Sequence, residues 1–291
     1  MPDAFDLPVE ALLPPFAGSL PTSLRVIGER ALIRSRSLTR FSYSTERLLA
    51  GKAGRRNSTL RRIRAQNGLV LELEAVSDAV ECYSKQHELA LANNLEAGAA
   101  SAIVQEALNE VLQPHYCLCL AVSELVWRCH VIVAKEADYD VSFSDPEIPF
   151  TIFISVPTQN DRSSLLRVAE NIVHETMHLQ LSLFERCCPL IDTASAWTLY
   201  SPWKHEPRPA QGILHGLYVF HVLHWLWQRT AESMQNDSDH SFALRRICDI
   251  EREISAVRAI EDSAALTPAG KLFLQRLFDS QRKQSIHTAW C

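Results

Sequence analysis

Two hydrophobic periods share this chain. Over 23–50, Leu24, Ile27, Leu32, Ile33, Leu48 and Leu49 recur at spacings that predict helix. The stretches 69–95 and 97–112 are rich in Glu, Leu, Ala and Lys. They predict two more helices, separated near 93–98 and stopped by Pro114. The character then changes. Residues 118–133 carry many β-branched and aromatic side chains, although 121–125 also permits a helix. Residues 139–143 alternate, Asp145-Pro146 marks a turn, and 150–156 read as a strand ended by Pro157. One small sheet between helical halves is expected.

The helical period returns downstream. Asp161 or Ser163 predicts the cap of a helix running through Leu181 to about Glu185. A Ser/Thr-rich loop with Trp197, Tyr200 and Trp203 leads to Pro209. That proline opens a helix reaching about Arg229, apolar nearly all round as a core helix would be. Residues 236–240 read as a polar loop. Amphipathic helices over 242–264 and 267–281 complete the chain, with Thr267 as N-cap and Pro268 as first helical residue. The pattern predicts a predominantly helical α+β fold, with helices around a small β-sheet. As domains it predicts a helical N-terminal region over 1–115 and a metal-binding catalytic region over 116–291, packed as one compact unit.

Composition narrows the function classes. With 291 residues, 47% of them hydrophobic, the chain can bury a substantial core. A net charge of −5 provides no global attraction for nucleic acid or an anionic membrane, so neither is an expected partner. The longest apolar runs fall well short of the roughly 20 residues of a membrane span. The N-terminus lacks a basic region followed by an apolar run, so a cytoplasmic protein without a secretory leader is expected. The 8 cysteines include no CxxC pair, and reduced, structural thiols are the expectation. Arg55, Arg56, Arg61, Arg62 and Arg64 form the one conspicuous basic run. It reads as a solvated helix face, with a docking surface for an acidic peptide as the functional alternative.

The chemistry concentrates in Ala169-Glu-Asn-Ile-Val-His-Glu-Thr-Met-His-Leu179, an HExxH motif. At 3.6 residues per turn, His174 and His178 share one helix face about 6 Å apart along the axis, so both imidazoles can reach one cation. Glu175 sits on the adjacent flank, where it can approach a metal-bound water or substrate. Ile172, Val173, Met177, Leu179, Leu181 and Leu183 make the helix mostly buried. Two core histidines with ordinary hydrogen-bond partners are the structural alternative.

An open catalytic site needs a third protein ligand. The metzincin continuation HExxHxxGxxH is absent, and Glu206 lies in a proline-rich loop. His215 is the better candidate, flanked by Gly212 and Gly216, which would permit close helix–helix approach. His221 and His224 lie roughly 120° and 180° around the same helix and are read as hydrogen-bonded core or surface residues. Arg208 either pairs with an acidic side chain or grips a carboxylate beside the metal.

Three segments together resemble a known family. They are Ser142-Phe-Ser-Asp-Pro-Glu-Ile-Pro-Phe-Thr-Ile-Phe-Ile-Ser-Val-Pro157, Val168-Ala-Glu-Asn-Ile-Val-His-Glu-Thr-Met-His-Leu179 and Ser201-Pro-Trp-Lys-His-Glu-Pro-Arg-Pro-Ala-Gln-Gly-Ile-Leu-His-Gly-Leu-Tyr-Val-Phe220. The chain is similar here, over about 140–225, to the HExxH-type α-ketoglutarate-dependent peptide β-hydroxylases that act on ribosomally made precursor peptides. Lys204 departs from the arginine that this pattern has after the tryptophan.

The resemblance implies Fe(II) held by His174, His178 and His215, with 2-oxoglutarate as chelating cosubstrate and O2 as oxidant. Arg208 would bind a carboxylate of the cosubstrate, and Glu175 would orient water or a ligand. The substrate would be a precursor peptide hydroxylated at a β-carbon. The alternative from the motif alone is a zinc metallopeptidase, with Glu175 as the general base on zinc-bound water.

Overall fold

The computed structural model describes residues 9–16, 19–35, 60–66, 68–74, 89–133, 141–145, 150–159, 161–233 and 237–285. Their elements form a predominantly helical α+β fold with a small mixed sheet. Two compact units are present, Pro21–Gln180 and Met1–Leu20 with Leu181–Cys291. Among the described residues no helix is long and apolar enough to cross a membrane.

The unit Pro21–Gln180 holds the sheet. Its strands are β1 (Leu60–Arg64), β2 (Val70–Glu74), β3 (Arg128–Ile132), β4 (Ser142–Ser144) and β5 (Thr151–Ser155), in the order β1-β2-β3-β5-β4. β2, β3 and β5 run parallel, and β1 and β4 pair antiparallel at the edges. Strand alternation and register place Leu71, Leu73, Cys129, Val131, Ile152 and Ile154 on one face, every one of them buried. Ser142 and Ser144 finish that face on β4, opposite Ile154 and Ile152. The other face is mixed: Ile132 and Phe153 form a buried apolar cluster on it, beside polar groups. There the buried Arg128 lies 3.7 Å from Glu72, which also accepts a hydrogen bond from Arg62 at 2.8 Å.

Two expectations change here. Val70–Glu74 is a strand, although its Glu/Leu composition favours a helix. Its apolar and acidic residues alternate, and pairing on both edges outweighs intrinsic propensity. Arg62 and Arg64 accordingly lie on an edge strand instead of a helix face, exposed while Ile63 is buried between them. Arg55, Arg56 and the stretch 75–88 lie outside the described residues.

Helix α1 (Ser19–Ser35) precedes the sheet, and α2 (Asn94–Glu106) and α3 (Tyr116–Leu125) stand between β2 and β3. Asn93 starts α2 through a capping box: its side chain accepts from Leu95 and Glu96 N–H groups while Glu96 accepts from the Asn93 N–H. A π-helical continuation, Ala107–Leu112, carries the chain to Pro114.

Phe150 enters β5 in the left-handed region, with φ 69°. A non-glycine residue there costs about 1–2 kcal/mol, so something must hold it. Its fully buried ring stacks on Trp127 at 3.9 Å, nearly parallel. Its carbonyl accepts from the N–H groups of Trp127 and Arg128. Gly28 makes room for the ring, since a Cβ there would stand 2.4 Å from Phe150 Cζ.

The second unit is built on α5 (Ala210–Ser233), α6 (Asp237–Ala256) and α7 (Pro268–Ser285). A hairpin, β6 (Thr198–Ser201) with β7 (Glu206–Pro209), occupies the stretch that composition reads as a loop. Gly216 fits against this hairpin and not against another helix. A Cβ at Gly216 would lie 2.4 Å from the Trp203 ring, which stacks on Phe220 at 4.9 Å and donates to Glu253 Oε2 at 3.0 Å. α6 begins at Asp237, within the expected polar loop. Thr267 caps α7, its hydroxyl accepting from Gly270 N at 3.0 Å.

Truncating the ring that holds the β5 entry tests this account. Phe150→Ala should lower the unfolding free energy by roughly 3–5 kcal/mol in urea titrations, because the cavity opens while the positive φ remains.

Candidate metal centre

Helix α4 (Arg162–Glu185) carries the HExxH residues. It starts where Asp161 offers its carboxylate to Ser164 N at 2.8 Å and Ser163 Oγ at 2.9 Å. These hydrogen bonds, the backbone one first, hold the Asp161 carboxyl below its usual range. Ser163 therefore joins the cap without forming it.

Along 171–181 every residue is buried except His174 and His178, which are half-buried. Within that stretch the helix opens toward solvent at the two imidazoles alone. Their rings lie 4.9 Å apart at 61°, with the two Nε2 atoms 3.2 Å from each other. Two nitrogens about 2.1 Å from one cation stand about 3.0 Å apart at 90° and about 3.4 Å apart at the tetrahedral angle. The observed separation falls between these values, so the pair fits one divalent cation.

Glu175 is 3% exposed. Its Oε2 accepts a 2.5 Å hydrogen bond from Ser144 Oγ, and Oε1 lies 3.9 Å from His174 Nε2. A buried carboxylate needs such partners, since an unpaired charge is costly to desolvate. Ser144 comes from β4, 31 residues earlier in the chain. No local spacing singles it out, although it sits at the end of a short alternating strand.

The other predicted residues belong to the unit that includes Leu181–Cys291. His215 lies on α5 with its Nε2 2.7 Å from Glu185 Oε2, both side chains largely buried. Gln211 also donates to Glu185 Oε2, at 3.4 Å. Glu185, at the end of α4, escapes notice in the sequence because nothing local links it to a histidine 30 residues on. Arg208 stands on β7, in the stretch read as a proline-rich loop, its Nη1 donating to Glu206 Oε1 at 3.0 Å. Both side chains of that pair are well exposed, so it contributes little to stability. Among the described residues no three His, Cys, Asp or Glu side chains gather as a group that could hold a metal ion.

His221 and His224 are fully buried in α5. His224 Nε2 lies 3.0 Å from Glu251 Oε1, as a core histidine would. His221 differs from expectation: neither ring nitrogen has a hydrogen-bond partner. Burial, assisted by the neighbouring His224, pushes its pKa down to about 3. The described cysteines are all free thiols, and burial pushes that of Cys129 up.

No protein-family model matches the chain, and no curated protein is significantly similar to it.

The depressed pKa of His221 carries a pH dependence. An unfolded histidine takes up its proton below pH 6.5, whereas folded His221 stays neutral down to about pH 3. Between those values the unfolded state binds the extra proton, so His221 lowers stability as pH falls, with a slope that approaches about 1.4 kcal/mol per pH unit once the unfolded histidine is fully protonated. Followed by denaturant unfolding between pH 6.5 and 5, the pH dependence of stability should be flatter in His221→Leu than in wild type, by about 1 kcal/mol per pH unit.

Proposed function

We propose that this protein is an Fe(II)- and 2-oxoglutarate-dependent oxygenase that hydroxylates the β-carbon of a residue in a ribosomally synthesised precursor peptide. The observation that carries the metal reading is the convergence of His174 Nε2 and His178 Nε2 at 3.2 Å, at the two half-buried positions of an otherwise buried stretch. The oxygenase chemistry and the peptide substrate come from the resemblance of residues 140–225.

His174 and His178 would hold the metal as neutral imidazoles, and His215 is the third ligand that the resemblance implies. Imidazole donors suit Fe(II), which would supply a site for activating O2 together with the keto acid. His215 is already oriented by the Glu185 carboxylate, the kind of outer partner that fixes which ring nitrogen a ligand presents. Arg208 would take a carboxylate of 2-oxoglutarate in exchange for Glu206. An exposed ion pair of this sort costs little to break.

A second reading has its own observation. Glu175 is buried with Oε1 3.9 Å from His174 Nε2, where the base of a zinc metallopeptidase would stand.

One assay separates the two. Protein incubated with Fe(II), 2-oxoglutarate, O2 and candidate ribosomally made precursor peptides should add one oxygen atom to its substrate peptide, followed by mass spectrometry. The gain should need all three small components. Peptide cleavage with zinc alone would overturn the oxygenase in favour of the peptidase. His178→Ala should weaken metal binding by more than the roughly 10–100-fold that losing an outer partner costs. Equilibrium dialysis with metal analysis measures that loss.

A further inference from the structure

We propose that the outer edge of β6 is a peptide-docking edge, where an extended segment of another polypeptide adds as a third strand to the β6–β7 hairpin. The edge stands on the hairpin's own geometry; calling the added segment a substrate rests on the oxygenase reading.

Antiparallel pairs alternate between residues that exchange N–H and C=O groups and residues whose main-chain groups point away from the partner strand. The hairpin pairs Thr198 with Pro209, Leu199 with Arg208, Tyr200 with Pro207 and Ser201 with Glu206. Proline has no N–H to exchange, so the ladder bonds belong to Leu199–Arg208 and Ser201–Glu206. The main-chain groups of Thr198, Tyr200, Pro207 and Pro209 therefore point outward. On β7 both outward residues are prolines, and that edge presents carbonyls but no donor. On β6 the outward residues keep their N–H groups. Thr198 and Tyr200 are both exposed, and among the described residues no further strand, bridge or backbone hydrogen bond engages their outward groups.

A row of unpaired N–H and C=O groups at strand spacing is a template for another extended main chain. The turn holds this row in place. His205 N donates to Ser201 O at 2.9 Å, and the hydroxyl of the buried Ser201 accepts from Lys204 N at 3.3 Å. On the face that carries Tyr200, its 56% exposed ring and the exposed Pro207 and Pro209 leave room for an apolar or aromatic side chain of the added strand. A second copy of this chain fits less well. β6 has 4 residues, about 13 Å at strand rise, and one strand of that length buries far less than the roughly 1,200 Å² of a stable dimer. That length suits a short peptide bound reversibly. It would lie about 10 Å from β7, two strand spacings away, beside the strand that carries Arg208 and leads into α5.

The probe is a random dodecapeptide library displayed on mRNA, panned on the full-length protein and counter-selected against Thr198→Pro. That substitution deletes one outward donor and leaves the ladder whole, as Pro207 and Pro209 do on β7. By fluorescence anisotropy, resynthesised peptides should bind Thr198→Pro roughly 10-fold more weakly than wild type. Thr198→Ala, which keeps the N–H, should bind them as wild type does. N-methylation along the peptide should weaken binding at every second residue only. Should Thr198→Pro not fold, the methylation pattern and slowed hydrogen exchange of the Thr198 and Tyr200 amides in the wild-type complex carry the test.

A library that yields no binder surviving the counter-selection would overturn the docking edge. So would survivors that lose as much affinity on Thr198→Ala, or that lose it on methylation without alternation. Wild-type dimerisation abolished by Thr198→Pro would overturn it in favour of a second copy. None of these measurements needs metal or turnover, so failure here leaves the oxygenase reading standing, and failure of the oxygenase assay leaves the edge standing.

Discussion

Burying a polar side chain is costly unless it finds a partner, and that constraint shapes the middle of α4. Along 171–181 the imidazoles of His174 and His178 alone reach toward solvent, and their Nε2 atoms face one another at 3.2 Å. Between them Glu175 is buried and tied to the sheet through Ser144. Thr176, also buried, returns its hydroxyl to the Ile172 carbonyl at 2.6 Å. The apolar residues around them fix the orientation of the helix, and that orientation decides which polar groups converge.

The sheet supplies the counterpart. Parallel β2, β3 and β5 bury Leu, Val, Ile and Cys side chains on one face, as central parallel strands do. The short edge strand β4 breaks that apolar surface with serines, one of which meets Glu175. The entry into β5 is held by a stacked and strained Phe150, so the strand that pairs with β4 begins from a packed anchor. In the other unit, Trp203 reaches from the hairpin onto Gly216 of α5, one residue beyond His215. The glycine and the downstream Phe220 of that segment therefore have a packing role. His221 shows the reverse balance: a fully buried imidazole without partners, kept neutral by the cost of charging it.

Much of this was legible in the chain itself. Helical spacing placed His174 and His178 on one face, Asp161 and Thr267 announced helix starts through their own side chains, and the β-branched run after Phe150 announced β5. These signals are local: they depend on residues within a few positions of each other, whose geometry the backbone period sets. Tertiary structure decided what lies beyond that reach. It turned the Glu/Leu-rich start of 69–95 into a paired strand and set the hairpin β6–β7 in an expected loop. It gave Glu175 a serine 31 residues away and His215 a glutamate 30 residues away. It also left His221 without a hydrogen bond. Spacing along the chain carries no information about such partners, because burial and pairing are settled only when distant elements share one packed interior.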